Sequence, residues 1–191
     1  MDEPRPLRLH CGQHNQVLVF DADAAMRLRT EHRIVGCLEG SHPRNPLQNG
    51  YMYLPLSLLP EETALLRERN AVELLGAEFT WPESPADRLR LALFKDLHRR
   101  GFFVTRALKF GGDYLLYPGK FTLLLYPVGE PMRYHSSHIV TFVPDITQQI
   151  TPRELVSLAR LGTAVNKTRV LSSWDPAKAA FTHVCINWSA M

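Results

Sequence analysis

Apolar positions along the chain switch repeatedly between strand-like runs and helix-like spacing, and the switches mark a series of short elements. Val17-Leu18-Val19-Phe20 is a continuous apolar run of strand length. Asp21 or Asp23 then offers a side-chain oxygen to cap a helix over Asp21–His32. Arg33–Leu38 predicts a strand, Gly40–Gly50 a polar loop and Tyr51–Leu56 another strand. Pro60 suits the first position of a helix running to about Arg69, with Glu61 and Glu62 near the positive end of its dipole. Ala71–Leu75 returns as a strand, so residues 1–76 predict a small mixed α/β domain.

Trp81-Pro82-Glu83-Ser84-Pro85 interrupts every periodic pattern, which predicts a linker over 77–84 and a second domain over 85–191. Ser84 as cap, Pro85 in the first turn and Asp87 three residues past the cap predict a helix whose Leu89, Leu93, Phe94 and Leu97 share a face. Gly101 ends it, and Phe102–Arg106 predicts a strand. Gly111-Gly112 is a backbone break, followed by strands over Asp113–Tyr117 and Phe121–Tyr126 around a Pro118-Gly119 turn. Arg133–His138 leads into a strand at Ile139–Val143. Thr151-Pro152-Arg153-Glu154 is a capping box opening a helix to about Asn166, with Leu155, Leu158, Ala159 and Val165 inward. Arg169–Ser173 and Phe181–Trp188 predict two closing strands around Asp175-Pro176. The fold class is α/β in the α+β sense, with a mixed sheet flanked by helices in the second domain.

Composition narrows the function classes. With 45% hydrophobic residues in 191, the chain can build a real core, and its net charge of +3 tolerates an anionic partner without demanding one. Cys11, Cys37 and Cys185 are scattered, with no metal-type pairing and no disulfide framework, which suits a reduced intracellular protein. The acidic, proline-bearing start is unlike a signal peptide, and no run approaches the roughly 18 apolar residues of a membrane span. The expectation is a soluble protein. His10, His14, His32 and His42 fall in no ligand spacing and read as surface residues.

The chemistry concentrates in Leu108–His138, where tyrosines and histidines stand at strand ends beside turns. A histidine there suits acid/base work because it titrates near neutrality. A tyrosine is a poor base unless a cation lowers its pKa, and it can instead orient a nucleophile. Asp113 and Glu130 could be read as a metal-binding carboxylate pair, but no third acidic partner stands close by, and Asp113 beside Gly112 suits a turn. No metal and no cofactor is expected. Read alone, Lys167 is a cation past a helix end, Arg160 an exposed helix arginine and Trp188 a buried sheet tryptophan.

Three stretches carry a family likeness: GFFVTRALKFGGDYLLYPG, RYHSSH and RLGTAVNKT. They resemble the catalytic half of the tRNA-splicing endonucleases, especially the eukaryotic catalytic subunits that cut at the 3′ splice site. The strongest likeness covers Gly101–Lys167, and a weaker one extends over Gln16–Phe20 and LPLSLLPEETALL. The long charged linker that joins the two halves of those subunits has no counterpart here.

The resemblance implies metal-independent cleavage of pre-tRNA at an intron boundary, leaving a 2′,3′-cyclic phosphate and a 5′-hydroxyl. It implies His135 as the catalytic histidine, with His138 as its rival, and Lys167 as the catalytic lysine; Asn166 stands where the family usually has another basic residue. Tyr117, at the family spacing from Gly111-Gly112, is the catalytic tyrosine, yet it lies 18 positions before His135, whereas the family separates the two by a short loop. Removing Lys120–Gly129 restores the family pattern, so either that segment is an inserted strand pair or Tyr126, 9 positions before His135, has taken over. Arg160 and Trp188 match a clamp for an unpaired intron base, held between a guanidinium and an aromatic plane. Other endonuclease subunits in a heterotetramer, or a homo-oligomer, are implied, with Phe181–Trp188 as the expected dimer edge, and so is a nuclear location. The alternative is a structural subunit that keeps the fold without cutting.

Overall fold

The computed structural model describes residues 6–39, 55–118 and 135–188. Its element order is β1 (Leu7–Cys11), β2 (Val17–Val19), α1 (Ala22–His32), β3 (Cys37–Leu38), β4 (Leu56–Leu58), α2 (Pro60–Glu68), β5 (Val72–Gly76), α3 (Pro85–Arg99), β6 (Phe102–Arg106), β7 (Tyr114–Pro118), β8 (His138–Val143), α4 (Pro152–Ala164), β9 (Thr168–Asp175) and β10 (Ala180–Ile186). Contacts separate the described residues into two compact units, with the division between Leu91 and Ala92 inside α3. Each unit carries a mixed five-stranded sheet. The α/β class and the two-part organisation expected from the sequence are both present.

In the amino-terminal unit the strand order is β3-β4-β2-β1-β5, antiparallel except for the β1–β5 pair. The period-2 side-chain alternation of strands puts Leu7, Leu9, Cys11, Val17, Val19, Leu56 and Leu58 on the buried face. Asp21 caps α1, accepting the Ala24 N–H at 2.7 Å.

Two expectations change in this unit. β1 carries an alternation of Leu7, Leu9 and Cys11 that the pattern reading passed over. Arg33–Leu38 is a strand only at Cys37–Leu38, because Arg33 ends α1 in a left-handed conformation and the Val35 and Gly36 N–H groups bond a side chain instead of a strand. That side chain is Glu62, which is buried and stands in the first turn of α2, at the positive end of the dipole as expected. One oxygen accepts Val35 N–H and Gly36 N–H at 3.1 Å each, and the other accepts Leu59 N–H at 2.8 Å. The predicted Gly40–Gly50 loop and most of the predicted Tyr51–Leu56 strand lie outside the described residues.

The carboxy-terminal unit has the order β10-β9-β8-β7-β6, with β8 and β9 parallel and the other pairs antiparallel. A parallel pair needs a crossover, and α4 supplies it. Reciprocal caps start both helices as the sequence predicts. Ser84 and Asp87 bond each other's backbone at 3.0 and 3.1 Å, and Thr151 and Glu154 do so at 2.8 and 3.3 Å. β7 is buried on both faces: Tyr114 meets Phe94 of α3 edge-on, while Leu115 belongs to a core with Ala107 and Ile139 against which Tyr117, Phe110 and Val165 pack.

The edge strand β10 is tied to α3 by His183, whose Nε2 lies 3.0 Å from Asp96 Oδ2 while its Nδ1 lies 2.8 Å from Ser172 Oγ. Val184 on this edge is 53% exposed. β10 ends at Ile186, so Trp188 stands beyond the strand and is 42% exposed, where a buried sheet position was expected. Phe121–Tyr126 lies outside the described residues. No helix among the described residues is long and apolar enough to cross a membrane, and Cys11, Cys37 and Cys185 are all free thiols.

Candidate active site

Lys167 is set by the way α4 ends. The helix closes in a motif in which Lys167 N–H bonds the Gly162 carbonyl at 2.9 Å and Asn166 N–H bonds the Thr163 carbonyl at 3.0 Å. Asn166 takes the left-handed position of that motif, with φ of 53°, which few side chains adopt as readily. A Cβ on Gly162 would stand 2.7 Å from the Lys167 carbonyl, so the close approach requires glycine there. Asn166, which stands where the family usually has another basic residue, is thus the residue that turns the chain out of α4 and into β9.

The Lys167 ammonium donates to the Ser136 carbonyl at 2.9 Å and sits 5.7 Å from the centre of the Phe110 ring. Burial lowers its pKa from the usual lysine range.

The RYHSSH stretch converges on the same place. Ser137 is held between two strands: its N–H bonds the Leu116 carbonyl at 2.9 Å, and its own carbonyl accepts Thr168 N–H at 3.0 Å. Leu116 precedes Tyr117 and Thr168 follows Lys167, so these bonds bring the ends of β7 and β9 to one short loop. Ser136 is its buried centre. The Tyr117 phenol is pushed above the ordinary tyrosine value by burial, opposed by hydrogen bonds with the hydroxyls of Thr105 and Ser136. Lys167 bonds the Ser136 carbonyl, so the lysine and the end of β7 that carries Tyr117 converge on one loop. His135 immediately precedes Ser136 and is exposed.

His138 is placed differently. It opens β8, paired with Leu116 on one side and Thr168 on the other, with its ring edge-on to Phe102 and its Nδ1 2.7 Å from Ser137 Oγ. Burial lowers its pKa. Tyr126 and Glu130 lie outside the described residues.

The KFGGD run supports the lysine from below. Arg169, fully buried two residues after Lys167, donates to the Phe110 carbonyl at 3.3 Å and the Gly111 carbonyl at 2.7 Å. Gly111 has φ of +61°, and a Cβ on Gly112 would stand 2.5 Å from Ile139 Cγ2. The loop therefore fits around the guanidinium only with this glycine pair. Asp113 is a brace: its carboxylate accepts Phe142 N–H at 2.8 Å, its own N–H bonds the Val140 carbonyl at 2.8 Å, and its charge acts on Arg169. Among the described residues no cluster of three or more His, Cys, Asp or Glu side chains could hold a metal ion.

Arg160 is exposed on α4, one turn before Thr163, whose Oγ1 lies 3.5 Å from the Trp188 carbonyl. The carboxy-terminal segment thus passes the part of the helix that carries Arg160. Ser136, Thr105, Phe110 and Arg169 escaped the sequence reading. All four lie within or beside the quoted motifs, but a buried arginine gives no periodic signal.

Residues 7–77 match the family model described as TSEN34-like, N-terminal domain, and residues 88–179 match tRNA intron endonuclease, catalytic C-terminal domain. The tRNA-splicing endonuclease subunit Sen34 of Mus musculus is 34% identical over 161 residues, covering 81% of this chain and 47% of that protein. The Homo sapiens subunit of the same name is 35% identical over 151 residues, covering 75% and 44%. A tRNA-splicing endonuclease of Saccharolobus islandicus is 30% identical over 99 residues, covering 52% and 48%. The chain spans a little under half the length of these curated relatives.

Proposed function

Because the chain belongs to the tRNA-splicing endonuclease family, we propose that it cuts pre-tRNA at an intron boundary, at the 3′ splice site, by metal-independent transesterification. The observation that supports this reading is the convergence of the end of β7, which carries Tyr117, and the start of β9, beside Lys167, on the short loop that follows His135, where Lys167 donates to the Ser136 carbonyl at 2.9 Å. In the proposed reaction Tyr117 orients the 2′-hydroxyl, whose proton passes to water while the 2′-oxygen attacks phosphorus. His135 protonates the departing 5′-oxygen. Lys167 offsets the charge on the pentacoordinate phosphate, a role whose loss costs on the order of 10²–10³-fold in rate. The products are a 2′,3′-cyclic phosphate and a 5′-hydroxyl.

Arg160 and Trp188 clamp an unpaired intron base in this reading, so Arg160→Ala weakens cleavage of bulged substrates more than it weakens non-specific RNA binding. Partner endonuclease subunits complete a heterotetramer in the nucleus, and β10 with its exposed Val184 is the assembly edge. From the sequence pattern the domains are proposed to span 1–76 and 85–191, with 77–84 between them, while contacts divide the chain inside α3.

The test is cleavage of labelled pre-tRNA in EDTA, by the chain alone and with partner subunits. Cutting with cyclic-phosphate ends supports the reading, and loss of cutting in chelator overturns the metal-free mechanism. In the same assay Tyr117→Phe is expected to abolish cutting while Tyr126→Phe does not. The reverse result assigns the role to Tyr126. Cutting by partner subunits that is unchanged in Tyr117, His135 and Lys167 variants makes this chain a structural subunit.

A further inference from the structure

We propose that His138 is a positioning residue, which braces the loop after His135 from the opposite face of the sheet, through the Ser137 hydroxyl. The inference rests on the nuclease reading above and adds to it a group that does not touch the reacting atoms. Side chains alternate along a strand, so Leu115 and Tyr117 share one face of β7 while Tyr114 and Leu116 share the other. Ile139 of β8 joins the Tyr117 face, in the core with Leu115 and Ala107 against which Tyr117 and Phe110 pack. Lys167 reaches the same face, with its ammonium 5.7 Å from the centre of the Phe110 ring. His138 precedes Ile139 and pairs with Leu116, so its ring points the other way, where it meets Phe102 edge-on. The rival histidine of the sequence therefore stands behind the candidate site, not in it.

From there it acts on the site through one side chain. Ser137 Oγ lies 2.7 Å from His138 Nδ1 and donates to the Leu116 carbonyl at 3.3 Å. The hydroxyl has one hydrogen, so with that hydrogen on the carbonyl it is Nδ1–H that donates to Oγ. The backbone of Ser137 is held as well, its N–H on the Leu116 carbonyl and its own carbonyl on Thr168 N–H. Three fixed groups on one residue leave the loop little freedom. The next residue back, Ser136, offers the carbonyl that receives the Lys167 ammonium at 2.9 Å, and His135 comes just before it. A brace on Ser137 thus sets the lysine and His135 relative to each other.

Three variants of the full chain separate this brace from catalysis and from packing. His138→Asn places an amide N–H where Nδ1–H stands, whereas His138→Leu fills the space against Phe102 without a bond. Ser137→Ala removes the hydroxyl itself. Each is followed by single-turnover cleavage of pre-tRNA with the partner subunits, by RNA affinity and by hydrogen exchange of the Thr168 amide.

The expected result is a loss of rate of roughly 10-fold or more in His138→Leu and in Ser137→Ala, at unchanged RNA affinity. The two substitutions together cost no more than either alone, because both remove the same bond. His138→Asn keeps the original rate. The Thr168 amide exchanges faster in His138→Leu and Ser137→Ala but not in His138→Asn. A loss in His138→Asn as deep as in His138→Leu overturns the proposal, since the ring itself is then needed, as it would be in a catalytic acid. Unchanged rates in all three variants overturn it too, as do additive losses, which leave two separate packing residues. If the unsubstituted protein does not cut, the nuclease reading fails by itself. The Thr168 exchange, which needs no activity, then decides: the expected pattern supports the brace, and any other pattern overturns it.

Discussion

Each unit of this protein buries one charged side chain to gather backbone groups from a loop, and the two are near mirror images in sign. In the amino-terminal unit Glu62 accepts three N–H groups, from Val35, Gly36 and Leu59. In the carboxy-terminal unit Arg169 donates to two carbonyls, of Phe110 and Gly111. The device is the same: an irregular segment that cannot pair its backbone in a sheet pairs it with a buried ion instead. The use differs. Glu62 fixes the turn that returns the chain to β3 and has no candidate catalytic group beside it. Arg169 fixes the loop whose Phe110 ring lies under the Lys167 ammonium, so its loop is also the floor of the candidate site.

The comparison breaks first at Arg169. Arg169→Met keeps much of the volume but removes the charged donor from the Phe110 and Gly111 carbonyls, each such bond being worth about 1.5–3 kcal/mol. The expected loss is on the order of 2–5 kcal/mol in urea unfolding, accompanied by a fall in cleavage. Replacing a buried ion with an apolar side chain can also be neutral, because burying the ion is itself unfavourable. A loss below about 0.5 kcal/mol would show that the arginine adds no net stability to the fold, and the fall in cleavage would then report its hold on the loop by itself.

Glu62→Gln tests the other half. The amide keeps one acceptor for Val35 and Gly36 but presents either a donor or nothing to Leu59 N–H, which costs on the order of 1–2 kcal/mol. The two clamps also differ in pH response, since arginine stays charged throughout the working range. Burial pushes the Glu62 carboxyl from 4.5 up to about 7, outweighing its three N–H donors. A carboxyl whose folded value lies above its unfolded one contributes its full stability below pH 4.5 and loses it as pH rises through 7. The native protein should therefore lose on the order of 1–3 kcal/mol of stability between these limits, and Glu62→Gln should flatten that slope. Stability that rises across the same range would mean the donors keep the carboxylate ionised.

This difference also explains what could be read in advance. Caps and periodic faces are local, and Asp21, Ser84–Asp87 and Thr151–Glu154 act where the pattern put them. Arg33–Gly36 read as part of a strand because its apolar residues fit one, yet the partner of its N–H groups lies 26 to 27 residues away on α2. Arg169 reaches 58 to 59 residues back. No window of sequence contains both ends of such a bond, and only the glycine pair at 111–112 hinted that a loop wraps something there. The meeting of Tyr117 and Lys167 was legible only through motif likeness. Ser136, whose carbonyl receives Lys167, was in plain view in RYHSSH but carried no chemical signal of its own.

The smallest expected effect separates the two uses of the Arg169 clamp. Phe110→Leu leaves the backbone carbonyl that Arg169 bonds and keeps an apolar side chain against Ala107, Leu115 and Ile139, so the fold should lose less than about 1.5 kcal/mol. What it removes is the aromatic face 5.7 Å from the ammonium. An attraction of this kind is worth about 0.5–1 kcal/mol at a partly exposed site, which corresponds to roughly 2–5-fold in rate if it aims the lysine at phosphate. Single-turnover cleavage and thermal unfolding of the same preparation decide the matter. A several-fold slower reaction with little change in unfolding makes the ring part of the site, through its hold on Lys167. An unchanged rate would confine Phe110 to the core, and Arg169 would then serve the fold alone, as Glu62 does.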